Sequence, residues 1–571
     1  MSIWKSICCV LAVVIAGCAA PQPSDRPQAS ASDSAATGST RALKRVTAAI
    51  VGNPATTSMK INVTGGKGHV PGLDELEDLL NTRLGMMGQD GVVRPQLAEM
   101  VPSVENGLWQ VLPDGRMEMT WKIRRNARWH DGAPFTSDDL VFSYRVQEDK
   151  ETVFFKDTRY ASVERVDAPD PLTLVVSWKQ PYIFADNIFD VSILPKHVLE
   201  RPFNDNKAIF TELPYWREEF VGTGAFKLRE WAQGSHAGLD ANDDFVLGRP
   251  RIDQITVRFI PDPNTLLANV LAGEVDFTMG LGISLDQALE VRARSKGGRV
   301  EAPLAGWVVI FPQLLYTSPE IVRNVRFRRA LLHALDRQAM ADTIQGGLSA
   351  VAHSFLSPNQ REYTDTEAGI VRYEYDERRA GQIIEGLGYT KGSDGFYRDG
   401  ANQRLEIELR TLEGFDVHPK TLFPVADAWQ RLGVATETMT VSRAQVNDQR
   451  FRATFSGFEL TRNPNDIGRL AIFYGSQARI LERNYVGGNY MNLRDAEWDR
   501  LLDRLFSTIP YGERTAVLGD IVHRITDEVL MLGLFYDIEP VLIGGRMQNM
   551  TARNSSVRSP EAWNAQEWDA R

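Results

Sequence analysis

ARWHDGAPFTSDDLVFS, residues 127–143, constrains the architecture of this chain more than any other segment. Asp131-Gly132 followed by Pro134 is typical of a turn, because glycine tolerates positive φ and proline fixes its own φ. Thr136, with Asp139 three residues later, predicts a capping box in which the Thr136 hydroxyl accepts from the Asp139 backbone N–H. The segment therefore predicts a turn that leads directly into a helix.

His130 beside Asp131 also suggests an acid–base pair, because a carboxylate neighbour can bring a histidine close to neutral titration. We favour the turn over this catalytic interpretation. The sequence contains no Gly-x-Ser-x-Gly elbow, and Gly222-Thr223-Gly224 lacks the later glycine of a dinucleotide fingerprint. We therefore expect no catalytic residues and no enzyme activity.

Two periodicities alternate along the rest of the chain. Apolar residues at every second position predict half-buried strands at Met117, Met119, Trp121 and Ile123; at Ile255, Val257 and Phe259; and at Leu405, Ile407 and Leu409. Apolar residues three and four positions apart predict helices at Phe327, Ala330, Leu331, Ala334 and Leu335; at Ala380, Ile383, Ile384 and Leu387; and at Trp498, Leu501, Leu502 and Leu505. Ser284 and Asp376 are predicted N-caps. Both patterns throughout the chain indicate α/β or α+β domains.

The N-terminus carries an export pattern. Residues 1–17 hold one positive charge and a short apolar run that ends in Ile15-Ala16-Gly17, immediately before Cys18. This arrangement predicts a signal peptide over residues 1–17 and lipidation of Cys18, with residues 18–44 as a flexible tether rich in Ala, Ser and Pro. We expect an exported protein anchored by lipid at the bacterial cell envelope, in the periplasm or on the outer face of the cytoplasmic membrane.

The amino-acid composition limits which cofactors and partners we expect. Removal of residues 1–17 would leave Cys18 as the one cysteine, and the eight histidines show no metal-binding spacing, so we expect no disulfide, metal or cofactor. A formal net charge of −10 disfavours nucleic acid as a partner. No apolar stretch after the signal is long enough to span a membrane. The 571 residues, 43% of them hydrophobic, can build two or three domains.

An ordered set of segments resembles the family 5 extracellular solute-binding proteins, which serve peptide and nickel ABC importers. The set comprises residues 114–143, Leu194-Pro195-Lys196-His197, Val221-Gly222-Thr223-Gly224-Ala225-Phe226-Lys227-Leu228, Leu271-Ala272-Gly273-Glu274-Val275-Asp276 and residues 325–337. The resemblance extends over roughly residues 45 to 545. The order of the segments makes it more specific than any one of them.

This resemblance implies an α/β fold of the two-lobed periplasmic-binding-protein (Venus flytrap) class, in its large form with three subdomains. Two lobes would close over a ligand in the cleft between them. The implied boundaries are 45–90 for the first part of lobe I, 91–214 for an inserted subdomain, 215–305 for the second part of lobe I, 306–529 for lobe II and 530–571 for the C-terminal part of lobe I.

The implied function is capture of a small peptide-like, polar or anionic solute and its delivery to an ABC permease in the cytoplasmic membrane. We expect a monomer that performs no chemistry on its ligand. An alternative is a ligand sensor that docks on a chemoreceptor or signalling kinase, and a less favoured one is an exported hydrolase.

The resemblance also indicates candidate ligand-binding residues. Peptide-binding members of the family place an aspartate in a Gly-Asp loop of lobe II against the ligand's α-amino group, whereas Thr461-Arg462 stands at the matching position here. We therefore expect a ligand other than an ordinary free-amine peptide, with Arg462 as a donor to an anion or oxygen. In a competing interpretation Arg462 faces solvent or pairs with Glu459 or Asp466. The further cleft candidates are Asn463, Trp307 and Tyr490.

Overall fold

A computed structural model describes residues 42–64, 70–152, 155, 160, 162–189, 193–280, 282–294, 298–555 and 559–571. Residues from Leu43 to Arg571 belong to one unit. Within the described ranges, none of the helices combines the length and apolar character needed to cross a membrane. The predicted signal peptide, the lipidation site Cys18 and nearly all of the predicted tether lie outside the described residues.

The first half of the chain contains most of two sheets. Up to residue 125 its elements are β1 (Arg45–Ile50), α1 (Met59–Thr64), α2 (Leu73–Leu80), β2 (Gly85–Met87), β3 (Val93–Pro95), β4 (Trp109–Val111) and β5 (Met117–Lys122). The next elements are α3 (Ser137–Glu148), β6 (Val163–Asp170), β7 (Thr173–Trp178), α4 (Lys196–Asp205), β8 (Phe226–Ala232), β9 (His236–Ala241), β10 (Gln254–Phe259), α5 (Pro263–Leu271), β11 (Phe277–Thr278), α6 (Leu285–Arg294) and β12 (Arg299–Glu301).

The second half contains a further large sheet and the C-terminal strands. Its first elements are β13 (Leu304–Pro312), α7 (Val325–His333), α8 (Arg337–Ile344), α9 (Arg361–Thr366), α10 (Glu377–Glu385), β14 (Thr390–Lys391), β15 (Tyr397–Arg398), β16 (Glu406–Leu412) and α11 (Val417–Leu432). They are followed by β17 (Ala435–Val441), α12 (Arg443–Val446), α13 (Gln449–Ala453), β18 (Phe458–Asn463), α14 (Ala496–Ser507), α15 (Tyr511–Asp527), β19 (Leu532–Ile538), β20 (Val541–Ile543), β21 (Met547–Gln548) and β22 (Asp569–Ala570). The described 3₁₀ turns are Ala185–Asn187, Lys207–Glu212, Pro214–Trp216, Glu320–Arg323, Glu367–Gly369, Ile467–Phe473, Gly475–Gln477, Leu481–Arg483 and Glu561–Glu567.

A seven-stranded sheet forms the centre of what we call lobe I, residues 43–90, 215–302 and 541–571. Its strand order is β12-β20-β11-β1-β10-β9-β8, and β1 runs parallel to both of its neighbours. A parallel central strand is buried on both faces, which explains why Ala48, Ala49 and Ile50 are fully buried. Strand β20 arrives from the far end of the chain, so lobe I is built from discontinuous segments.

The segment at residues 127–143 connects lobe I to a four-stranded sheet, β4-β5-β7-β6, inside the predicted inserted subdomain. The predicted turn is confirmed by Gly132, whose φ is 89°, and the predicted capping box by reciprocal hydrogen bonds between Thr136 and Asp139. Buried residues Met117, Met119 and Trp121 alternate with half-buried ones along β5, as predicted. One continuous apolar core extends from this sheet into the seven-stranded sheet.

His130 is a structural residue of this connection. Its Nδ1 accepts from the Gly222 backbone N–H at 3.2 Å, and its Nε2 lies 3.1 Å from the Gly224 carbonyl oxygen, to which it donates. Burial lowers the pKa of His130 to about 4, so the imidazole stays neutral near pH 7. Asp131 pairs with His197 instead, at 2.7 Å. The residues of the suspected acid–base pair therefore have separate partners, which supports the turn interpretation.

A five-stranded sheet forms the centre of lobe II, residues 304–538. Its order is β17-β16-β18-β13-β19, with β16 parallel to β17 and β18, and with β13 antiparallel to β18 and β19. One apolar core under α7, α10 and α11 covers one face, and a second core with α14 and α15 covers the other. Burial on both faces explains why nearly all of β13 and all of β19 are buried.

The return of the chain to lobe I begins later than the sequence indicated. Residues 530–571 were expected to be the C-terminal part of lobe I, but β19 pairs with β13 along Leu304–Ile310 and is an edge strand of lobe II. The expected boundary at residue 530 is therefore wrong. A uniformly apolar strand such as β19 fits either sheet, and only the pairing partner distinguishes them.

The C-terminal residues pack on α2 through buried charged groups. Glu75 accepts from the Glu561 backbone N–H at 2.8 Å, and Arg553 lies 2.8 Å from an Asp74 carboxylate oxygen. Burial raises the pKa of Glu75 to about 8 and also raises that of Glu561, and the Glu75 charge raises the pKa of Glu561 further. Burial likewise raises the pKa of Asp78 to about 6. The pKa of each of these carboxyl groups is therefore higher in the folded protein than in the unfolded chain.

The raised pKa values predict a pH-dependent stability. A carboxyl group with a higher pKa in the folded state stabilises the fold fully below its unfolded pKa, near 4, and this contribution is lost as pH rises through the folded pKa. Replacing Glu75 with Gln removes one such group and the repulsion it exerts on Glu561. The free energy of unfolding of Glu75→Gln, measured by urea denaturation, is therefore expected to improve relative to wild type as pH rises from about 5 to about 8.

The exposed residue Glu437 provides the matched control. Glu437→Gln is expected to keep a constant difference from wild type over the same pH range. A constant difference for Glu75→Gln as well would contradict the burial argument.

Candidate functional site

The chain passes between the two lobes twice, and the two crossings touch. One crossing joins β12 to β13 and the other joins β19 to β20. The Glu539 backbone N–H donates to the Pro303 carbonyl oxygen at 3.0 Å, which ties the two segments together. A pair of short adjacent connections is the arrangement about which two domains can hinge.

One edge of the lobe II sheet, formed by the ends of its strands β13, β18 and β19, faces these crossings. Strand β13 begins there and β19 ends there, because both connect directly to lobe I. Strand β18 is antiparallel to β13, so its last residues, Arg462 and Asn463, lie at the same edge, opposite Val308 and Trp307. The structure therefore brings three of the four sequence candidates to the side of lobe II that adjoins lobe I.

Arg462 is held by two carboxylates at the crossing. Its Nε donates to Asp537 at 2.5 Å and its Nη2 donates to Glu539 at 2.6 Å, with only 14% of the Arg462 side chain exposed. Burial by itself lowers the pKa of Arg462, but Glu539 and Asp537 outweigh this effect and raise it above its usual value. The guanidinium charge is thus already compensated within the protein.

Gly306 leaves room for this arrangement. A Cβ placed at Gly306 would lie 3.5 Å from the Arg462 guanidinium carbon and 2.7 Å from the Asn463 carbonyl oxygen. The first distance is ordinary contact, whereas the second is closer than real Cβ contacts allow. Gly306 therefore permits the close approach of β13 and β18 beneath the arginine.

Neither ion pair that the sequence suggested for Arg462 is the one observed. The Glu459 carboxylate is bound by Arg410 at 2.8 Å and by Arg452 at 2.6 Å, and all three side chains are buried. These arginines lower the pKa of Glu459 despite its burial. Asp466 accepts from the Gly468 backbone N–H and caps the following 3₁₀ turn. The role of Arg462 as a ligand donor stays a prediction.

Asn463, Tyr490 and Arg469 form a second group on the opposite face of the sheet from Arg462. Arg469 donates from Nε to the Asn463 Oδ1 at 3.2 Å and from Nη2 to the Tyr490 hydroxyl at 3.0 Å. Trp307, the register partner of Asn463, belongs to the apolar core on this face. The alternation of side chains along a strand separates Arg462 from Asn463, although they are neighbours in sequence.

Sequence reasoning missed the residues that connect these candidates. Arg469, Asp537 and Glu539 show no motif spacing, and Asp537 and Glu539 act on Arg462, which lies 75 and 77 residues before them in the chain. Asp537 and Glu539 do interrupt an otherwise apolar run from Leu532 to Ile543, and charged residues in a buried strand indicate a partner. These two acidic residues within an apolar run could have predicted an ion pair at this edge.

Contacts between the lobes also form away from the crossings. Lys420 in α11 pairs with Asp286 in α6 at 2.8 Å. On the inserted subdomain, the Ile183 backbone N–H donates to the Phe506 carbonyl oxygen at 3.2 Å, and the rings of Phe184 and Phe506 lie 6.2 Å apart. Lobe II thus contacts both parts of the first half of the chain, as a closed pair of lobes requires.

Over the described ranges, no three His, Cys, Asp or Glu side chains are placed to hold a metal ion.

A mixed α/β fold of two lobes joined by two adjacent crossings is typical of the class of bilobal binding proteins. Residues 93–478 match the family described as "Bacterial extracellular solute-binding proteins, family 5 Middle". The chain belongs to this family of solute-binding proteins.

Individual relatives agree with this assignment. The oligopeptide-binding protein AppA of Bacillus subtilis is 25% identical over 478 residues, which cover 81% of each chain. The fold is similar to a periplasmic oligopeptide-binding protein of Thermotoga maritima, with a TM-score of 0.76, 17% identity and coverage of 92% of this chain and 99% of the other. It is also similar to NikA of Brucella suis in complex with Fe(III)-EDTA, with a TM-score of 0.74, 18% identity and coverage of 92% and 100%. These solved structures establish the two-lobed periplasmic-binding-protein fold.

The ion pairs of Arg462 predict a large effect on stability. Arg462→Ala leaves Asp537 and Glu539 partly buried without their cation, so the free energy of unfolding is expected to fall by roughly 3–5 kcal/mol. Arg431→Ala, which removes an ion pair with Asp427 between two exposed side chains, is the control and should cost less than about 1 kcal/mol. Equal losses in the two variants, measured by urea denaturation, would contradict the bridging role of Arg462.

Proposed function

We propose that this protein is the extracytoplasmic solute-binding component of an ABC importer. It captures a small solute by closure of the two lobes and delivers it to a permease in the cytoplasmic membrane. Closure about the tied crossings creates the surface that the permease recognises, and the ligand leaves chemically unchanged. The observation that carries this proposal is the pair of adjacent crossings, with the polar side chains of Arg462 and Asp537 on one face and of Asn463 on the other face of the lobe II sheet beside them.

The contacts between the lobes support a closing motion. An exposed ion pair such as Lys420–Asp286 contributes little free energy, and one backbone hydrogen bond from Ile183 to Phe506 contributes little more. Because the direct contacts between the lobes are weak, the ligand determines the balance between the open and closed forms. It shifts this balance by binding the closed form more tightly than the open form. A binding protein that must release its ligand to a permease needs this balance.

The compartment follows from the same proposal. The family acts outside the cytoplasm, and the lipidation predicted at Cys18 would hold the protein close to its permease. A tethered binding protein searches a thin layer beside the membrane and so meets the permease more often. Globomycin treatment of the producing cells, followed by mass spectrometry of the N-terminus, tests the anchor directly.

The ligand class proposed here is a peptide-like, polar or anionic solute. Related proteins are named oligopeptide-binding, and NikA is described in complex with an Fe(III)-EDTA chelate, so the family accommodates ligands rich in carboxylates. By the resemblance, Arg462 matches the position of the acidic residue of peptide-binding members, and its charge is already paired with Asp537 and Glu539. A ligand ammonium therefore finds no free carboxylate at this position.

Ligand binding is expected to stabilise the fold. At a concentration of 100 times the dissociation constant, a ligand that binds only the folded form adds about 2.7 kcal/mol to the free energy of unfolding. Native mass spectrometry of protein purified from its host identifies the co-purifying solute, and a thermal shift after its removal and return measures the gain. Chemical turnover of that solute by the pure protein, or absence of any stabilising solute, would contradict the proposed function.

The aromatic contact at Phe506 predicts an effect on closure. Phe506→Ala removes the ring contact with Phe184, so the closed form becomes less populated and the apparent affinity falls in proportion. Small-angle scattering should show a larger radius of gyration in the presence of ligand than for wild type. Phe423→Ala, at an exposed phenylalanine of α11, is the control, and equal behaviour of the two variants would contradict the closure contact.

A further inference from the structure

Two arginines of lobe II enclose Tyr490 from different sides. Arg469 donates to the Tyr490 hydroxyl at 3.0 Å, and the Arg479 guanidinium carbon lies 4.7 Å from the centroid of the Tyr490 ring. The ring itself packs against Phe311, with centroids 5.6 Å apart, and this contact fixes its position. The phenol therefore holds two cationic groups at a defined place on lobe II.

Arg469 extends from this place to the edge that faces lobe I, whereas the Tyr490 ring and Arg479 lie farther along the sheet, beside Phe311. Arg469 also donates to Asn463, the last residue of β18, beside Trp307 at the start of β13. Arg479 is anchored through its Nε to the Gly487 carbonyl oxygen at 2.8 Å, and its backbone N–H donates to Asn492. Both side chains are half-buried rather than free on the surface. Holding two guanidinium groups in fixed positions therefore costs side-chain conformational entropy.

The two cations lack a compensating carboxylate in the described part of the chain. Neither Arg469 nor Arg479 forms an ion pair there, and their hydrogen bonds go to neutral oxygens. The nearby Glu459 is engaged by Arg410 and Arg452. Burial lowers the pKa of Arg479, and repulsion from Arg452 and Arg410 lowers it further, while Tyr490 and the Glu459 charge offset part of this effect.

The local charge is opposite to that of the whole protein. The chain has a formal net charge of −10, yet Arg410 and Arg452 bind one buried glutamate, and Arg469 and Arg479 flank Tyr490 beside it. Half-buried arginines without a counter-ion are unfavourable unless something else supplies the negative charge. Most of their Nη hydrogens have no protein acceptor within the described residues, so a planar oxyanion can receive them in pairs.

We propose that Arg469 and Arg479, positioned by Tyr490, form an oxyanion-binding site on lobe II that receives a carboxylate or phosphate group of the transported solute. This inference rests on the proposed function and names the chemical class of its ligand. It moves the anion-binding role from Arg462, whose charge is paired, to arginines whose charge is not. Capture of the ligand's oxyanion by lobe II leaves the rest of the molecule to be covered by lobe I when the lobes close.

The test uses the full-length protein after removal of co-purified ligand, with citrate, succinate and inorganic phosphate as probes. Succinamide, which has the shape of succinate without its charges, is the matched probe. Isothermal titration and thermal shift are measured for wild type, Arg469→Gln, Arg479→Gln and Arg469→Lys. Arg483→Gln, which removes an exposed arginine four residues after Arg479, controls for the loss of one positive charge.

The expected result is that at least one of the anions stabilises the wild type and Arg483→Gln, whereas succinamide does not. Arg469→Gln and Arg479→Gln should each lose roughly 10- to 100-fold in affinity, because each removes a charge-assisted contact. Arg469→Lys should recover part of this loss, since it keeps the charge without the planar fork. Binding of phosphate but of neither carboxylate would assign the site to phosphate-bearing solutes, and the reverse would assign it to carboxylates.

Anion affinity that is unchanged in both glutamine variants, or no anion binding by the wild type, would overturn the inference. These outcomes are separable from failure of the proposed function through the co-purified solute. If that solute still binds all variants equally, the protein remains a binding protein and the oxyanion site is wrong. If no solute co-purifies with or stabilises any form, the proposed function fails as well.

Discussion

The contact between the two lobe crossings, Glu539 N–H to the Pro303 carbonyl, is the constraint on which the geometry of this protein depends. It keeps the start of β13 and the end of β19 together at the boundary between the lobes. Arg462 reinforces this boundary, because it binds Asp537 at the end of β19 and Glu539 in the crossing itself. A hinge needs a fixed axis, and these contacts provide it while both lobes keep their own cores.

Buried charge is distributed unevenly around this axis. In lobe I, α2 and the C-terminal residues bury Glu75 and Glu561, whose raised pKa values favour the uncharged forms. In lobe II, Arg469 and Arg479 flank Tyr490 and form no ion pair within the described residues, and a guanidinium cannot shed its charge as a carboxyl group can. Excess acid can therefore be neutralised by protonation, whereas excess arginine needs an anion from outside.

Much of the local structure could be predicted from the sequence. The capping residues Thr136, Ser284 and Asp376 act as predicted, because a cap depends on residues three positions apart. The strands with apolar residues at every second position could be predicted equally well. The return of the chain to lobe I at residue 530 was not, because β19 is apolar on both faces and its pattern is the same in either sheet. Strand pairing is a long-range property that local patterns do not encode.

The sequence by itself determined the elements, the turn at Asp131-Gly132 and, through an ordered set of segments, the family. It also indicated Arg462, Asn463, Trp307 and Tyr490 as candidates for the ligand site. Tertiary structure alone decided which of them act together: Arg462 joins Asp537 and Glu539 on one face, and Asn463 joins Arg469 and Tyr490 on the other. The physical reason is that charge compensation depends on distance in space, and strands far apart in the chain bring these groups within hydrogen-bonding range.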